Sequence, residues 1–349
     1  MPFDPTSADA VSSGLIEWID RHVEGGNTAR LAAAPQRSTE GMSTHLWFVQ
    51  LAGELPAEWL TPLVLRIHPT PSDADVARRE AAVMQHVGAL GFPVPAPFAM
   101  VTDGSFPALP LPWLVMPRVG SGSMLSLIAA KPWRAFRHID ALAELMVALH
   151  RLPPEGPAGL HHPDAHARRW LAAHMDSISA VSDGAAEVAQ RLLHLLPRVV
   201  AADTAICHGD LHPMNVVGNE GGPGDARYWV IDWTESTVGD PHFDVGRTTA
   251  VLRVVFIVGE GRAQRAVLRV VGPILARRFE RSYRRLMPLD RNQLRFWQAA
   301  HLARGAAQLA ALEPATGSPN AAGAASRAAA LQTQLLRRAS TLVAAVSGA

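Results

Sequence analysis

The amino-acid sequence predicts an α+β protein with a smaller sheet-bearing N-terminal part and a larger, mainly helical C-terminal part. Two short apolar stretches, His45–Leu51 and Leu63–Ile67, predict neighbouring strands. A third stretch, Pro112–Pro117, predicts a strand that ends near the boundary between the two parts. After Gly120 the apolar residues recur almost throughout at helical spacing. The length of 349 residues is sufficient for two domains, and we place the boundary between residues 118 and 119.

Apolar residues at helical spacing predict the individual helices. A helix near the N-terminus carries Leu15 and Ile19, and Ser12 or Ser13 is the expected N-cap. A second helix follows the Leu63–Ile67 strand over residues 73–90. In the C-terminal part the predicted helices share the same periodicity and cover residues 132–152, 168–178, 185–199, 245–258, 262–286, 290–312 and 321–346.

The composition narrows the range of partners. A formal net charge of +1 lacks the basic excess of a nucleic-acid-binding protein, so we expect no nucleic-acid partner. The single cysteine, Cys207, precludes an intrachain disulfide and favours a reducing compartment. No basic and then apolar leader opens the chain, and the apolar run at Val251–Val258 is too short for a membrane span. We therefore expect a cytoplasmic protein that does not cross a membrane.

The most informative stretch lies between residues 206 and 244. Asp210 precedes Asn215 by five positions, and Asp232 follows a short apolar run, residues 228–231. This spacing suits phosphoryl transfer, in which one aspartate accepts the proton of the attacking hydroxyl while an amide and a second carboxylate hold Mg²⁺. Mg²⁺ prefers oxygen ligands of these kinds. The alternative explanation is a buried histidine among turn-forming Asp and Asn residues.

Three ordered motifs carry a resemblance to a known family. They are His208-Gly-Asp-Leu-His-Pro-Met-Asn215, Ile231-Asp-Trp233 and Gly239-Asp-Pro-His-Phe-Asp244. The sequence resembles the aminoglycoside phosphotransferase and choline kinase family, whose usual strings are HGDLHxxN, IDW or IDF, and GDPxxD. The resemblance implies a bilobal protein-kinase-like fold with a small antiparallel sheet. Residues 1–118 would then form the nucleotide-binding lobe, and residues 119–349 the catalytic and substrate-binding lobe.

The resemblance also implies roles for the residues of these motifs. Asp210 would be the catalytic base, and Asn215 and Asp232 would bind Mg²⁺. His208 would support the loop through hydrogen bonds, and His212 would lie near the transferred phosphate. Two further aspartates, Asp240 and Asp244, are expected to brace the loop, since Gly-Asp-Pro favours a turn and a carboxylate is favoured at a helix start.

Nucleotide contacts are expected from the N-terminal lobe. Arg66 is a lone charge in an apolar strand and needs a partner. Its position corresponds to the phosphate-binding Lys of the kinase fold, and the resemblance makes Glu80 its partner. Ser43 is the candidate phosphate contact in the loop before the first strand, where a plain hairpin turn is the alternative. The backbone from Met116 to Arg118 would meet the adenine edge.

These expectations define a function. The chain is predicted to be a small-molecule kinase that uses ATP or GTP with Mg²⁺ and transfers the γ-phosphate to a substrate hydroxyl. Arginines outnumber carboxylates after Asp244, which disfavours a polycationic acceptor. We therefore expect a neutral or anionic acceptor, with antibiotics such as macrolides among the candidates. The alternative is a non-catalytic nucleotide- or ligand-binding protein on a kinase scaffold.

Overall fold

A computed structural model of the chain divides into two compact units. The first unit contains residues 1–123 and 216–234, and the second contains residues 124–215 and 235–349. The structure describes residues 3–38, 44–157, 163–199, 204–219, 227–254, 262–311 and 321–347. The two units are distinguished by their packing, which does not show what each unit binds. The assignment of a nucleotide-binding lobe and a catalytic lobe therefore stays a prediction.

The first unit is built around an antiparallel sheet. The described residues before position 118 contain seven strands: β1 (Arg30–Leu31), β2 (Gln36–Arg37), β3 (His45–Val49), β4 (Leu51–Ala52), β5 (Leu63–Ile67), β6 (Ala99–Val101) and β7 (Trp113–Pro117). Five of them form one sheet in the order β2-β3-β5-β7-β6, and every pairing is antiparallel. The register places Arg66 of β5 opposite Leu46 of β3 and Leu114 of β7. Arg66 therefore lies in the centre of the sheet.

Strands β1 and β4 pair with each other in an antiparallel ladder, and the first unit also contains a small three-stranded sheet. It joins β8 (Gly122–Ser123), β10 (Val216–Asn219) and β11 (Arg227–Val230) in the order β11-β10-β8. The chain reaches Asp232 directly after β11. The backbone N–H of Val230 donates to the carbonyl of Pro93 at 2.9 Å, and Trp233 is fully buried with its ring against Phe92. These contacts fix the segment on both sides of Asp232.

Among its described residues, the first unit contains two α-helices, α1 (Ala8–His22) and α2 (Ala74–Ala89). Helix α1 packs Val11, Leu15 and Ile19 into the core beneath the five-stranded sheet. The expected N-cap was wrong, because Ser7 caps the helix and the hydroxyl of Ser12 donates to the carbonyl of Ala8 within the first turn. Helix α2 presents a buried face that includes Glu80.

The second unit is mainly helical. Its helices are α3 (Met124–Ala130), α4 (Ala135–His150), α5 (Pro163–Ser179), α6 (Asp183–Val199), α7 (His242–Val254), α8 (Arg262–Leu286), α9 (Arg291–Ala311) and α10 (Ala321–Ser347). A two-stranded antiparallel ladder of β9 (Ala205–Cys207) and β12 (Thr237–Gly239) lies among them. One apolar core joins α5, α6, α7, α9 and α10 to this ladder. Cys207, the last residue of β9, belongs to this core, so the loop that follows β9 starts from it.

The predicted α+β class is confirmed by these elements. Within the described residues, no helix combines the length and the apolar character needed to cross a membrane.

Candidate active site

The loop from Cys207 to Asn215 starts where β9 leaves the core. Gly209 has φ +83°, and a Cβ on it would lie 2.2 Å from the carbonyl oxygen of Glu235. Only glycine fits this conformation and this close approach. The sharp turn brings the next residue, Asp210, out of the core, and its side chain is 24% exposed.

Asp210 is held by an arginine and a histidine. Arg247 donates from Nε to Oδ1 of Asp210 at 2.6 Å, and Nε2 of His212 lies 3.3 Å from the same oxygen. Burial alone would raise the pKa of Asp210, but His212 and Arg247 outweigh it and hold that pKa well below its usual range. No described residue bonds to the other oxygen, Oδ2. Asp210 is thus an ionised carboxylate with one oxygen still available.

The residues around Asp210 shape the loop through its backbone. Asn215 donates from Nδ2 to the carbonyl of Asp210 at 2.9 Å, and the N–H of Asp210 donates to Nδ1 of His208 at 3.2 Å. Because the Asn215 amide nitrogen is used inward, its oxygen Oδ1 is left for another partner. His208 is fully buried, and its role in supporting the loop stays a prediction.

Asp244 braces the same loop from below. Its two oxygens accept the backbone N–H groups of His208 and Gly209, each at 2.7 Å. His150 on α4 lies 3.2 Å from Oδ2 of Asp244 through Nε2, and its Nδ1 lies 2.8 Å from the hydroxyl of Tyr283 on α8. Asp244 is fully buried, so both of its oxygens are used for structure.

Asp240, at the turn before α7, also uses both of its carboxylate oxygens in hydrogen bonds within the protein. Its Oδ1 accepts from the backbone N–H of His242 at 2.9 Å, and its Oδ2 accepts from Nε1 of Trp297 at 2.7 Å. Nε2 of His242 accepts the backbone N–H of Asp290 at 2.9 Å, so Nδ1 is the protonated nitrogen and donates to Asp240 at 2.6 Å. Asp240 therefore ties α7 to α9.

The first unit contains a separate charged group. Arg66 is buried, its Nε lies 3.3 Å from Oε2 of Glu80, and its terminal nitrogen donates to Oδ1 of Asp232 at 2.9 Å. Burial lowers the pKa of Arg66, but the two carboxylates outweigh it and raise that pKa above its usual value. Nε2 of His68 lies 3.5 Å from the same Glu80 oxygen. The lone charge of β5 thus has two acidic partners.

Asp232 combines this contact with an unusual backbone conformation. It is the non-glycine residue with positive φ, +65°, among the described residues. Such a conformation costs free energy and is found most often at functional sites. Its Oδ1 accepts from Arg66 and from the hydroxyl of Thr234 at 3.1 Å, whereas no described residue bonds to Oδ2. Asp232 therefore also keeps one oxygen available.

The remaining residues predicted to contact the nucleotide are Met116, Arg118 and Ser43. Met116 is buried on β7. The N–H of Arg118 donates to the carbonyl of Pro62, and its guanidinium lies 3.9 Å from the centre of the Phe48 ring. Ser43 lies outside the described residues. Their contacts with a nucleotide stay predictions.

The structure adds two arginines that the sequence did not single out for the site. Arg247 contacts Asp210 directly, and Arg304 donates from a terminal nitrogen to Oε1 of Glu235 at 2.9 Å. Arg247 lies one helical turn after Asp244 on α7, which could have indicated that both face the loop. No local signal connects Arg304 with Glu235, since 69 positions separate them.

The structure thus brings Asp210, His208, His212 and Asn215 together in one loop. It brings Arg66, Glu80 and Asp232 together in the other unit. The first group supplies an ionised carboxylate, and the second supplies a buried cation with two carboxylates.

Two known proteins match part of the chain in sequence. The chain is 27% identical to viomycin phosphotransferase of Streptomyces vinaceus over 179 residues, which cover 50% of this chain and 60% of that protein. It is 32% identical to an aminoglycoside 3'-phosphotransferase of Streptomyces fradiae over 152 residues, which cover 41% of this chain and 54% of that protein. The match therefore spans somewhat over half of the length of each of these two relatives.

A solved structure shows the same fold. It is a putative aminoglycoside phosphotransferase from Ralstonia eutropha JMP134, with a TM-score of 0.62 and 21% identity over 94% of this chain and 98% of that one. The predicted protein-kinase-like fold is confirmed. Residues 37–266 match the Phosphotransferase enzyme family, and this range is more than half of the chain. The chain belongs to the phosphotransferase enzyme family.

Proposed function

We propose that this chain is a small-molecule O-phosphotransferase that transfers the γ-phosphate of ATP or GTP to a substrate hydroxyl. The observation that carries the proposal is Asp210, an ionised carboxylate that is fixed through Oδ1 and keeps Oδ2 available. A carboxylate of this kind can accept the hydrogen bond of an attacking hydroxyl and orient it toward phosphorus. We propose residues 1–118 as the nucleotide-binding lobe and residues 119–349 as the catalytic and substrate-binding lobe.

The low pKa of Asp210 defines its part in the reaction. A carboxylate with a depressed pKa is a weak general base at neutral pH. Its larger contribution is to orient the hydroxyl, and it receives the proton as the new oxygen–phosphorus bond forms and the bond to the leaving nucleoside diphosphate breaks. His212, whose Nε2 lies 3.3 Å from the same carboxylate, is proposed to contact the transferred phosphate.

Asn215 and Asp232 are proposed to hold Mg²⁺. Each keeps one side-chain oxygen that no described residue bonds, Oδ1 of Asn215 and Oδ2 of Asp232. Amide and carboxylate oxygens are the ligands that Mg²⁺ prefers, so the donor set fits the ion. When bound, Mg²⁺ would neutralise charge on the phosphate oxygens of the nucleotide.

Arg66 is proposed to bind the nucleotide phosphates. Its contact with Glu80 fixes the base of the guanidinium, and a guanidinium can bind phosphate through two parallel hydrogen bonds. Ser43 and the backbone from Met116 to Arg118 complete the proposed nucleotide contacts.

The acceptor is proposed to be a hydroxylated small molecule that is neutral or anionic. The relatives include phosphotransferases named for viomycin and for aminoglycosides, and a macrolide 2'-phosphotransferase shares the fold at a TM-score of 0.59. Antibiotics are accordingly among the acceptors to test. The arginine-rich helices of the second unit favour acceptors without multiple positive charges.

Nucleotide consumption tests the proposal. Purified protein is incubated with Mg-ATP or Mg-GTP and a panel of macrolides, aminoglycosides, sugars, amino alcohols and hydroxy acids, and the release of nucleoside diphosphate is measured. We expect release that depends on an acceptor and stops when EDTA removes Mg²⁺. Nucleotide binding that ignores Mg²⁺, together with no release from any acceptor, would instead support a non-catalytic binding protein.

A further inference from the structure

A cluster of buried polar groups lies beside the catalytic loop and has no role in the proposed reaction. It consists of Trp170 on α5 with His301 and Arg304 on α9, and we call it the Trp170–Arg304 cluster. The guanidinium of Arg304 lies 5.8 Å from the centre of the Trp170 ring, and the rings of Trp170 and His301 are 5.0 Å apart. Arg304 is only 9% exposed.

Two donors in this cluster have no acceptor. Nε1 of Trp170 and Nε of Arg304 are buried, and neither has a hydrogen-bond partner among the described residues. Both groups can only donate. A buried donor without a partner costs about 1–3 kcal/mol, so such pairs are rare in folded proteins. Each of these two donors lacks an acceptor atom, which a water molecule or a ligand oxygen can provide.

The cluster is connected to the catalytic loop. A terminal nitrogen of Arg304 donates to Glu235 at 2.9 Å, and the carbonyl of Glu235 lies against Gly209, directly before Asp210. Arg247 contacts Asp210 itself, and Arg304 contacts Glu235, whose carbonyl lies against Gly209. Two arginines therefore lie close to the loop that carries Asp210.

The charges around the loop are unfavourable for a cationic acceptor. The carboxylates of Asp210 and Glu235 are each already paired with an arginine. The described contacts use one nitrogen of Arg247 and one of Arg304, although each guanidinium has five N–H donors. Donors in excess of acceptors favour a ligand that brings oxygen atoms and negative charge.

We propose that Arg304, with Trp170 and Arg247, binds an anionic group of the phosphate acceptor, a carboxylate or a phosphate. The acceptor would then be a hydroxylated anion, and this assignment rests on the proposed phosphotransferase function. Trp170 and Arg304 would supply the two unpaired buried donors, and Arg247, which also contacts Asp210, would supply further N–H donors.

Anion binding tests the site without relying on turnover. Thermal unfolding of the full chain is followed in inorganic phosphate or 4-hydroxybutyrate, against chloride at equal ionic strength. The variants are Arg304→Gln, Arg304→Lys and, as a matched control, Arg253→Gln, which removes another largely buried arginine from an ion pair with Glu280. We expect both anions to stabilise the wild type and the control. Arg304→Gln should weaken the apparent affinity by about tenfold or more, and Arg304→Lys by less.

An equal response of wild type and Arg304→Gln to both anions would overturn the site, since the two buried donors would then hold water only. A response to phosphate but not to 4-hydroxybutyrate assigns the site to phosphate groups, and the reverse response assigns it to carboxylates. If Arg304→Gln does not fold, Arg304→Lys decides, because it keeps the charge and loses only the planar fork.

Turnover of matched acceptors separates this inference from the proposed function. 4-Hydroxybutyrate, its amide and 4-aminobutanol share one skeleton and differ in charge. Preference for the anion that disappears in Arg304→Gln supports both statements. Turnover that ignores acceptor charge and the Arg304 variant overturns the anion site and leaves the phosphotransferase standing. Arg304-dependent anion binding, together with nucleotide binding that ignores Mg²⁺ and no turnover of any acceptor, contradicts the proposed function and leaves the anion site standing.

Discussion

Two aspartates of the second unit, Asp210 and Asp244, contact the same loop but differ in burial and in the hydrogen bonds that their oxygens accept. Asp244 is fully buried, and both of its oxygens accept backbone N–H groups of the loop. Asp210 is partly exposed, and its described side-chain contacts all reach Oδ1.

The difference distinguishes a carboxylate that can only hold the backbone from one that could bind a substrate. A carboxylate whose oxygens are both occupied fixes the backbone and cannot bind a substrate. A carboxylate that stays ionised beside an arginine and retains a free oxygen can do so. The comparison predicts that stability depends on Asp244, and that chemistry depends on Asp210.

The largest expected change in stability comes from Asp244→Asn. The amide would turn an NH₂ group toward backbone donors and leave a buried N–H unpaired, so we expect a loss of about 3–5 kcal/mol in the free energy of unfolding. Urea denaturation measures this loss. Asp183→Asn, at an exposed first turn of α6, is the control and should cost less than about 1 kcal/mol. Equal losses in the two variants would contradict the bracing role of Asp244.

Glu80→Gln extends the comparison to the first unit, with a smaller effect. Arg66 keeps Asp232 but loses a charged partner in a buried site, so we expect a loss of about 1–3 kcal/mol together with weaker Mg-ATP binding. Calorimetry and denaturation measure the two quantities. Glu17→Gln removes the acid of an exposed ion pair with Arg21 and is the control. Unchanged nucleotide affinity in Glu80→Gln would contradict the role of Arg66.

A pH effect is expected from His301, whose folded pKa lies well below its usual value because it is buried and near two arginines. The unfolded chain binds a proton at this residue below about pH 6.5, whereas the folded chain does not. Stability should therefore fall as the pH drops below that value, by at most about 1.4 kcal/mol per pH unit for this one group.

His301→Gln should flatten this slope, and His194→Gln, on the exposed face of α6, should not. Urea denaturation at three pH values between 7.5 and 5 gives the slopes. A slope that is the same in the wild type and both variants would mean that His301 does not titrate as described.

The smallest effect is expected at an exposed pair. Arg191 and Glu187 form an i,i+4 ion pair on α6 with both side chains exposed. Arg191→Ala should change the free energy of unfolding by at most about 0.5 kcal/mol, because water screens the pair. A loss comparable to that of Glu80→Gln would show that burial does not determine how much an ion pair contributes to the free energy of unfolding.

Much of the fold follows from sequence periodicity. The prediction for residues 262–286 matches α8, and the prediction for residues 321–346 ends one residue before α10. The predicted N-cap of α1 was wrong because several serines precede the apolar face of the helix, and the local sequence pattern does not distinguish among them. The helix starts at Ala8, earlier than the periodicity indicated.

The candidate site was only partly predictable. The motif residues are close in sequence, so their spacing carries chemical information. The contact between Arg247 and Asp210 joins residues 37 positions apart on different elements, and that between Arg66 and Asp232 joins residues 166 apart. Such contacts depend on packing, and Arg66 was assigned to Glu80 alone because only the resemblance indicated a partner.

The most direct measurement compares the wild type with Asp210→Asn in three respects: the free energy of unfolding, binding of Mg-ATP, and acceptor-dependent release of nucleoside diphosphate. We predict that Asp210→Asn folds and binds Mg-ATP like the wild type, and that its turnover falls by about 10²–10⁴-fold. Full activity of the folded variant would contradict the assignment of Asp210 as the residue that receives the acceptor hydroxyl.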